Sequence, residues 1–526
     1  MKAVPLWLLI CVGSAIGLTA CGGGGGSGGG GAPPSGGWTA GVFNPAANFE
    51  AQCVNPRSGN DPVSGKPFPD KQGTVLTQNN WLRSWSNDLY LWYNEIVDRD
   101  PSLYTTPEYF DLLKTTATTA SGKPKDQFHF TMLTSDFEDF AQSGTGAGYG
   151  ATWSLIASRP PRQIVVAYTD PGTPAVDPAV NLVRGAAVLQ VDGIDAVNDG
   201  TAAGVDALNA GLFPASAGES HTFLVQDPGA ASTRSVAMTS VDVTSVPVQN
   251  VHAETTTSGK VGYMLFNDHI ATAEQELINA VNQLKADGIV DLVLDIRYNG
   301  GGFLDIASEL AYMIAGSART TGKTFERTVF NNKHPTTDPV TNKPLTPVPF
   351  HSTAGGFSTP SGTALPQLDL ARVFVLTGTG TCSASESIIN SLRGIGVEVI
   401  QIGSTTCGKP YGFYPQDNCG TTYFTVEFKG ENNAGFSDYP DGFSPRNTVG
   451  TPGELVDGCS VGDDYTHALG DPMEQRFATA LTYRQAPSCP TPSGFAPPGT
   501  AALSSGVSSD GVIHKPLWLQ NRIMRR

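Results

Sequence analysis

Positive charge is scarce in this sequence. Its 526 residues carry 32 Lys and Arg against 48 Asp and Glu, a net charge of −16, and no tract of clustered basic residues. Phosphate backbones are held by such clusters, so nucleic acid is not an expected partner. Metal-ligand spacing is missing too. None of the eight cysteines forms a Cys-x-x-Cys pair or a Cys/His cluster of zinc type, and no metal or cofactor is expected. Long apolar runs are absent with one exception, Val4 to Leu18 behind Lys2. That run is too short and too lightly flanked for an ordinary membrane span and fits a secretory signal. What remains is abundant in 61 Gly and 38 Pro, with only 15% charged residues, which suits a loop-rich, strand-containing exported protein. The length allows two or three domains and a substantial core.

The signal ends in Leu18-Thr19-Ala20-Cys21, which resembles the bacterial lipobox. The resemblance implies lipidation at Cys21 and removal of residues 1–20; the acyl chains would suffice for stable anchoring. Residues 21–74 follow as a Gly/Ser tether, GGGGGSGGGGAPPSGG, and an irregular Pro/Gly/Asn lead-in that holds a globular body off the membrane. Cys53, Cys382, Cys407, Cys419, Cys459 and Cys489 remain for an oxidising compartment, and six cysteines allow 15 pairings. Cys407 and Cys419 bracket a short Gly/Pro loop and are the first pair expected. For Cys382 three readings stand: a disulfide partner, a small buried residue, or the nucleophile of a thiol enzyme.

Trp81, Trp85, Leu89, Trp92 and Ile96 recur at spacings of three and four, which predicts one apolar helix face. Thr106-Pro107 starts a second helix, and residues 75–143 read as a small helical domain. From 144 to 248 short strands and turns predict a β-rich module. Residues 249–487 alternate strands and helices, which implies a parallel sheet in an α/β core. Its elements are a strand over Lys260–Asp268, a helix over Glu274–Ala286, and a strand, triple-glycine turn and helix over Val290–Gly316. A loop of Thr, Pro, Asn and Gly fills 320–368. A strand is expected over Thr421–Gly430, and a helix capped by Asp471, with Pro472 at N1 and Glu474 at N3. Residues 488–526 form a Pro/Ser/Gly-rich tail that ends in basic residues.

The chemistry concentrates between Thr377 and Phe413. Arg372–Gly378 reads as a parallel strand, Ala384–Arg393 as the helix behind it and Val397–Gly403 as the next strand. Ser383 then lies at a helix N-terminus, where backbone N–H groups and the helix dipole favour developing negative charge. The loop bearing Lys409 returns to the same sheet edge, although 409 − 383 = 26 positions separate the two residues. The turn Asn299-Gly300-Gly301-Gly302 belongs there as well, at the strand ends where open α/β sheets place their sites. A serine needs a base, and a desolvated lysine can serve. Glycine turns admit close backbone donors for an oxyanion.

Three motifs, D-I-R-Y-N-G-G-G (Asp295–Gly302), S-A-S-E (Ser383–Glu386) and T-T-C-G-K (Thr405–Lys409), together resemble the S41 peptidases, the C-terminal processing or tail-specific proteases. LVRGAAVLQVDGIDA (Leu182–Ala196) resembles a PDZ signature, with Ala186 replacing the usual acidic residue. Gly148-Tyr149-Gly150 falls where PDZ domains place a loop that binds a peptide C-terminus.

The resemblance implies a parallel-sheet ββα-spiral core of crotonase/ClpP-like type, Ser383 as nucleophile and Lys409 as general base. It implies oxyanion donors at the N–H of Ala384 and of Gly301 or Gly302, and peptide binding at Gly148, Tyr149 and Gly150. It also implies a serine endopeptidase of the bacterial cell envelope, lipid-anchored on the periplasmic face. Its partners would be polypeptide C-terminal ends, the membrane through Cys21 and an adaptor of unspecified identity. The rival expectation is a non-catalytic peptide-binding or scaffold lipoprotein with a decayed core. Arg393-Gly394 and Phe413 depart from the family pattern, which places an Asp and a Gln there as helpers. Ser385 and Ser387 are expected to pack or cap. His269 is the rival base, and Asp295 and Arg297 are expected to hold the glycine turn.

Overall fold

Period-two alternation in fully buried strands sets the centre of the molecule. Val373 and Val375 face one layer while Phe374 and Leu376 face the other, and all four are inaccessible to solvent. A sheet covered on both faces reads as a continuous apolar run, as these strands do. The computed structural model describes residues 38–450, 452–490 and 522–523. The signal segment, Cys21, the glycine tether and most of the tail lie outside the described residues.

In chain order, helix α1 (Val75–Leu89) precedes five strands: β1 (Ala151–Ala157), β2 (Gln163–Thr169), β3 (Ala187–Val191), β4 (Ser220–Gln226) and β5 (Arg234–Thr239). Helix α2 (Ala202–Leu212) lies between β3 and β4. The core follows with β6 (Val248–Thr256), β7 (Gly259–Phe266), α3 (Ala273–Asp287), β8 (Asp291–Asp295), β9 (Gly302–Phe303) and α4 (Leu304–Ala315). Then come β10 (Arg372–Thr377), α5 (Ala384–Gly394), β11 (Glu398–Gly403), β12 (Tyr411–Gly412), β13 (Gly458–Ser460), α6 (Gln475–Gln485) and β14 (Arg522–Ile523).

The central sheet has the order β6-β7-β8-β10-β11-β13. β6 and β7 are antiparallel and the other neighbours parallel. Leu277, Val281 and Leu284 of α3 pack with α4 and α5 on one face, and Phe477 and Ala480 of α6 on the other. Burying each large side chain contributes about 1.5–3 kcal/mol. Gly288 ends α3 in the left-handed region at φ 71°. At the start of α3, the buried Glu274 carboxylate accepts the backbone N–H groups of Gly356, Phe357, Ser358 and Thr359. It thereby ties down part of the long excursion 320–368. That excursion also contains a strand, Thr324–Phe330, paired with Phe428–Glu431, where sequence composition predicts only loop.

Three further elements depart from expectation. The tryptophan face is a core face: Trp81 and Trp85 are buried and stacked 5.1 Å apart. The helix stops at Leu89, however, and Trp92 and Ile96 lie beyond it, because the Leu91 N–H bonds to the Val426 carbonyl instead of to its own helix. The strand expected over Thr421–Gly430 is two strands, Thr421–Phe424 and Phe428–Glu431, that join different sheets. The first pairs with Phe130–Leu133, so a strand stands within 75–143. The last helix begins at Gln475 with Glu474 as its N-cap, while Asp471 caps the preceding turn by accepting the Met473 N–H.

β1 to β5 form an antiparallel sheet with β1 at its edge, and α2 packs against it around Phe223, Leu208 and Leu212. Cys53 bonds to Cys419, Cys382 to Cys407 and Cys459 to Cys489. The pairing expected between Cys407 and Cys419 is therefore wrong. Their loop runs into β12 and a further short strand, Gln416–Asn418, which carries Cys419 away to the N-terminal lead-in. Among the described residues no helix is long and apolar enough to cross a membrane.

Candidate active site

Ser383 sits where β10 gives way to α5, as the N-cap of the helix, and is fully buried. Its backbone adopts φ 59° and ψ −115°, a left-handed conformation that costs a non-glycine residue about 1–3 kcal/mol. Such strain persists only where surrounding bonds over-determine it.

Two residues supply the restraint. Glu386, one turn into α5, accepts the Ser383 N–H at 2.9 Å. The same buried carboxylate accepts the N–H of Lys409 at 2.8 Å, that of Gly408 at 2.9 Å and the hydroxyl of Thr406. Burial pushes the Glu386 carboxyl up, while these donors pull it down. On the other side Asn299 acts through two groups. Its carbonyl accepts the Cys382 N–H (3.1 Å) and the Ser385 hydroxyl (3.0 Å). Its side-chain oxygen accepts the Gly301 N–H (2.9 Å), and its amide donates to the Phe266 carbonyl (3.0 Å).

The lysine loop is thus stitched to the serine turn by Glu386, by the Cys382–Cys407 bond and by the Cys407 N–H to the Thr381 carbonyl at 3.0 Å. Gly408 has φ 88°, and a Cβ there would run into the Pro440 carbonyl. The Lys409 side chain is buried, its amine 4.4 Å from the ring centre of Phe413 and 4.8 Å from that of Phe128. Phe413 stands where a family Gln is expected, and it faces the amine as a ring. Ser385 bonds to Asn299, and Ser387 donates to the Ser383 carbonyl (3.3 Å), so both serve packing and capping.

Replacing Glu386 by Gln leaves the serine and the lysine in place but puts N–H against N–H. The expected outcome is a fall in kcat of about 10²-fold or more with KM little changed, read from steady-state kinetics on an unfolded polypeptide.

Gly301 spends its N–H on Asn299, so of the two glycines Gly302 is the one left to serve an oxyanion beside Ala384. Ala384 is the first residue of α5, where helix N–H groups have no partner in the helix. Gly302 has φ 137°, and a Cβ there would lie 2.5 Å from the His269 carbonyl. His269 is buried, and its Nδ1 lies 3.0 Å from the Asn299 side-chain oxygen. Since that oxygen accepts, Nδ1 carries the hydrogen and Nε2 the lone pair. Among the described residues Nε2 has no hydrogen-bond partner.

Burial lowers the His269 pKa to about 3, below its ordinary value near 6.5. Its folded pKa lies below its unfolded one, so the stability it contributes is complete above about pH 6.5 and is lost as pH falls toward 3. The gap in unfolding free energy between wild type and His269→Gln is expected to shrink by about 1.4 kcal/mol per pH unit over that window. Urea titrations at several pH values measure it.

Arg297 holds the base of the turn. Its fully buried guanidinium bonds to Asp295 (2.8 Å), Asp463 (2.8 Å) and Glu474 (2.7 Å). Surrounding arginines hold the Asp463 carboxyl far below the usual range. Arg184, within Leu182–Ala196, joins the same cluster through Asp463 (2.7 Å) and the Tyr298 hydroxyl (2.7 Å). That stretch therefore docks its module beside the glycine turn. Gly148-Tyr149-Gly150 leads into edge strand β1. Tyr149 is a core residue whose hydroxyl donates to the Gly211 carbonyl at the end of α2 (3.0 Å), so its ring does not face a ligand.

Glu386 and Asn299 are the site residues that sequence reasoning did not assign. Both stand inside motifs it singled out, as the fourth residue of S-A-S-E and the asparagine of N-G-G-G.

Within an α/β fold, a strained serine, a buried lysine and a glycine turn thus come together at the strand ends. Residues 260–413 match the profile of Peptidase family S41. Over 239 residues the chain is 26% identical to a carboxyl-terminal-processing protease of Picosynechococcus sp., covering 45% of this chain and 49% of that protein. It thus spans about half the length of that curated relative. The fold is similar to the crystal structure of a Bacteroides fragilis protein assigned as an S41 protease, with TM-score 0.55, 19% identity, and coverage of 80% of this chain and 100% of that one. A photosystem II D1 C-terminal processing protease aligns with TM-score 0.41 at 18% identity, over 71% of this chain and 92% of that one.

Proposed function

We propose that this chain is a serine endopeptidase of the bacterial cell envelope that cleaves polypeptides through an acyl-enzyme on Ser383. The observation that carries the reading is the Glu386 carboxylate, which binds the backbone of the serine and of the lysine at once. Lys409 as a neutral amine takes the Ser383 hydroxyl proton as the oxygen attacks the scissile carbonyl. The oxyanion forms against the N–H groups of Ala384 and Gly302. The new ammonium lies against two aromatic faces, which favour it, and returns its proton to the leaving amine. Water then hydrolyses the ester.

Repeated strand, strand and helix around the central sheet supports the ββα-spiral description of the core. Among the described residues β1 pairs on one side only, and its other edge suits capture of a substrate C-terminal segment as an added strand near Gly150, while Gly148 itself pairs with Val241. Anchoring through Cys21 on the periplasmic face and an adaptor partner rest on sequence alone.

A fluorophosphonate probe tests the nucleophile. Peptide mapping should place the adduct on Ser383, whereas an unlabelled protein or an adduct elsewhere overturns the assignment. A second reading has one observation in its favour, the His269 Nε2 lone pair, and makes His269 the base.

A further inference from the structure

The protein's own later segment lies between the two walls of the candidate site. β14 pairs in parallel with β9, Gly302 opposite Arg522 and Phe303 opposite Ile523. It also contacts β12, which begins two residues after Lys409. One wall is therefore the glycine turn and the other the lysine loop.

Pairing on the far side of β9 shows which groups face this occupant. The His269 N–H donates to the Gly301 carbonyl (3.1 Å), and the Phe303 N–H donates to the His269 carbonyl (2.8 Å). Backbone groups alternate along a strand. The N–H and C=O of Gly302 consequently face the opposite edge, where β14 runs. That N–H is the oxyanion donor assigned above.

The tether does not force this placement. Arg522 lies 522 − 490 = 32 positions after Pro490, and a connection of that length can reach roughly 100 Å when extended. Attachment in cis raises the local concentration of such a segment to the order of mM, so even weak strand pairing fills the cleft.

We propose that strand β14, Arg522–Ile523, is an intramolecular occupant of the substrate strand site, competing with polypeptide for the edge of Gly302–Phe303. The inference rests on reading Ser383 as the nucleophile and adds that the strand added to β9 is the position a substrate takes. Proline cannot donate to a ladder, so the full-length double variant Arg522→Pro, Ile523→Pro releases the occupant without shortening the chain. If the segment fills the cleft nine-tenths of the time, release raises the accessible fraction about tenfold.

The test is the rate of fluorophosphonate labelling in wild type, the double-proline variant and a variant lacking residues 491–526. Labelling about tenfold faster in both variants, slowed again by a synthetic peptide of residues 515–526 but not by its reversed sequence, is the expected result. Equal rates in all three overturn the proposal. If none of the three labels or hydrolyses polypeptide, the peptidase reading fails, and hydrogen exchange decides the occupant separately. Faster exchange at Gly302 and at Tyr411–Gly412 in the double-proline variant supports it, and unchanged exchange rejects it.

Discussion

Ser383→Ala is expected to lower kcat/KM for an unfolded polypeptide by roughly 10⁴–10⁶ while leaving the thermal midpoint close to that of wild type. Alanine suits the left-handed backbone no worse than serine does, and the restraints from Glu386 and Asn299 act on main-chain groups and on Ser385, not on the Ser383 side chain. Lys409→Met keeps the apolar stem between Phe128 and Phe413 and removes the amine, so the expected loss is roughly 10²–10⁴. Release of fluorescent fragments from a labelled, loosely folded protein measures both. His269→Gln completes the set. Retained activity in Lys409→Met with loss in His269→Gln would transfer the role of base to the histidine. Full activity in Ser383→Ala would remove the mechanism and leave a peptide-binding scaffold as the better description.

Arg297→Met is expected to destabilise the protein by about 3–5 kcal/mol, because three carboxylates lose the cation they share. Asp295 ends β8, Glu474 caps α6 and the guanidinium spans them, so the loss reaches both the strand end and the helix packed on it. Urea unfolding should show a lower midpoint at neutral pH and partial recovery on acidification, as the stranded carboxyls take up protons. A midpoint equal to wild type would mean that Arg184 and Arg476, which also approach Asp463 (2.7 and 3.8 Å), carry the cluster by themselves. The turn Asn299–Gly302 begins two residues after Arg297, so activity should fall along with stability.

Patterns that repeat locally are legible in the sequence. Buried strands such as Asp291–Asp295 and Glu398–Gly403 appear as apolar runs, and the amphipathic period of α3 gives its extent to within a residue or so. Convergence of the serine, lysine and glycine loops follows from strand direction alone. Contacts made across long separations are less legible. Leu91 bonding to Val426 ends α1, and Phe130–Leu133 becomes a strand because Thr421–Phe424 offers it an edge. Gly301 could be told from Gly302 only through the rotamer of Asn299, which no spacing encodes. The role of Glu386 was hidden in the same way: a Glu three residues after an N-cap serine reads as a capping box, and only folding brings the lysine loop to the same carboxylate.

The three disulfides also decide how a cut chain behaves. Cys53 and Cys419 are joined across 366 positions and Cys459 and Cys489 across 30. A single break inside either ring leaves one molecule on a non-reducing gel and two bands once thiol is added. Everything beyond Cys489 lies outside both rings, and a break there frees a separate fragment under either condition. Paired gels with and without reductant therefore distinguish loss of the segment that lies against Gly302 from a nick inside either ring, without any need to sequence the products.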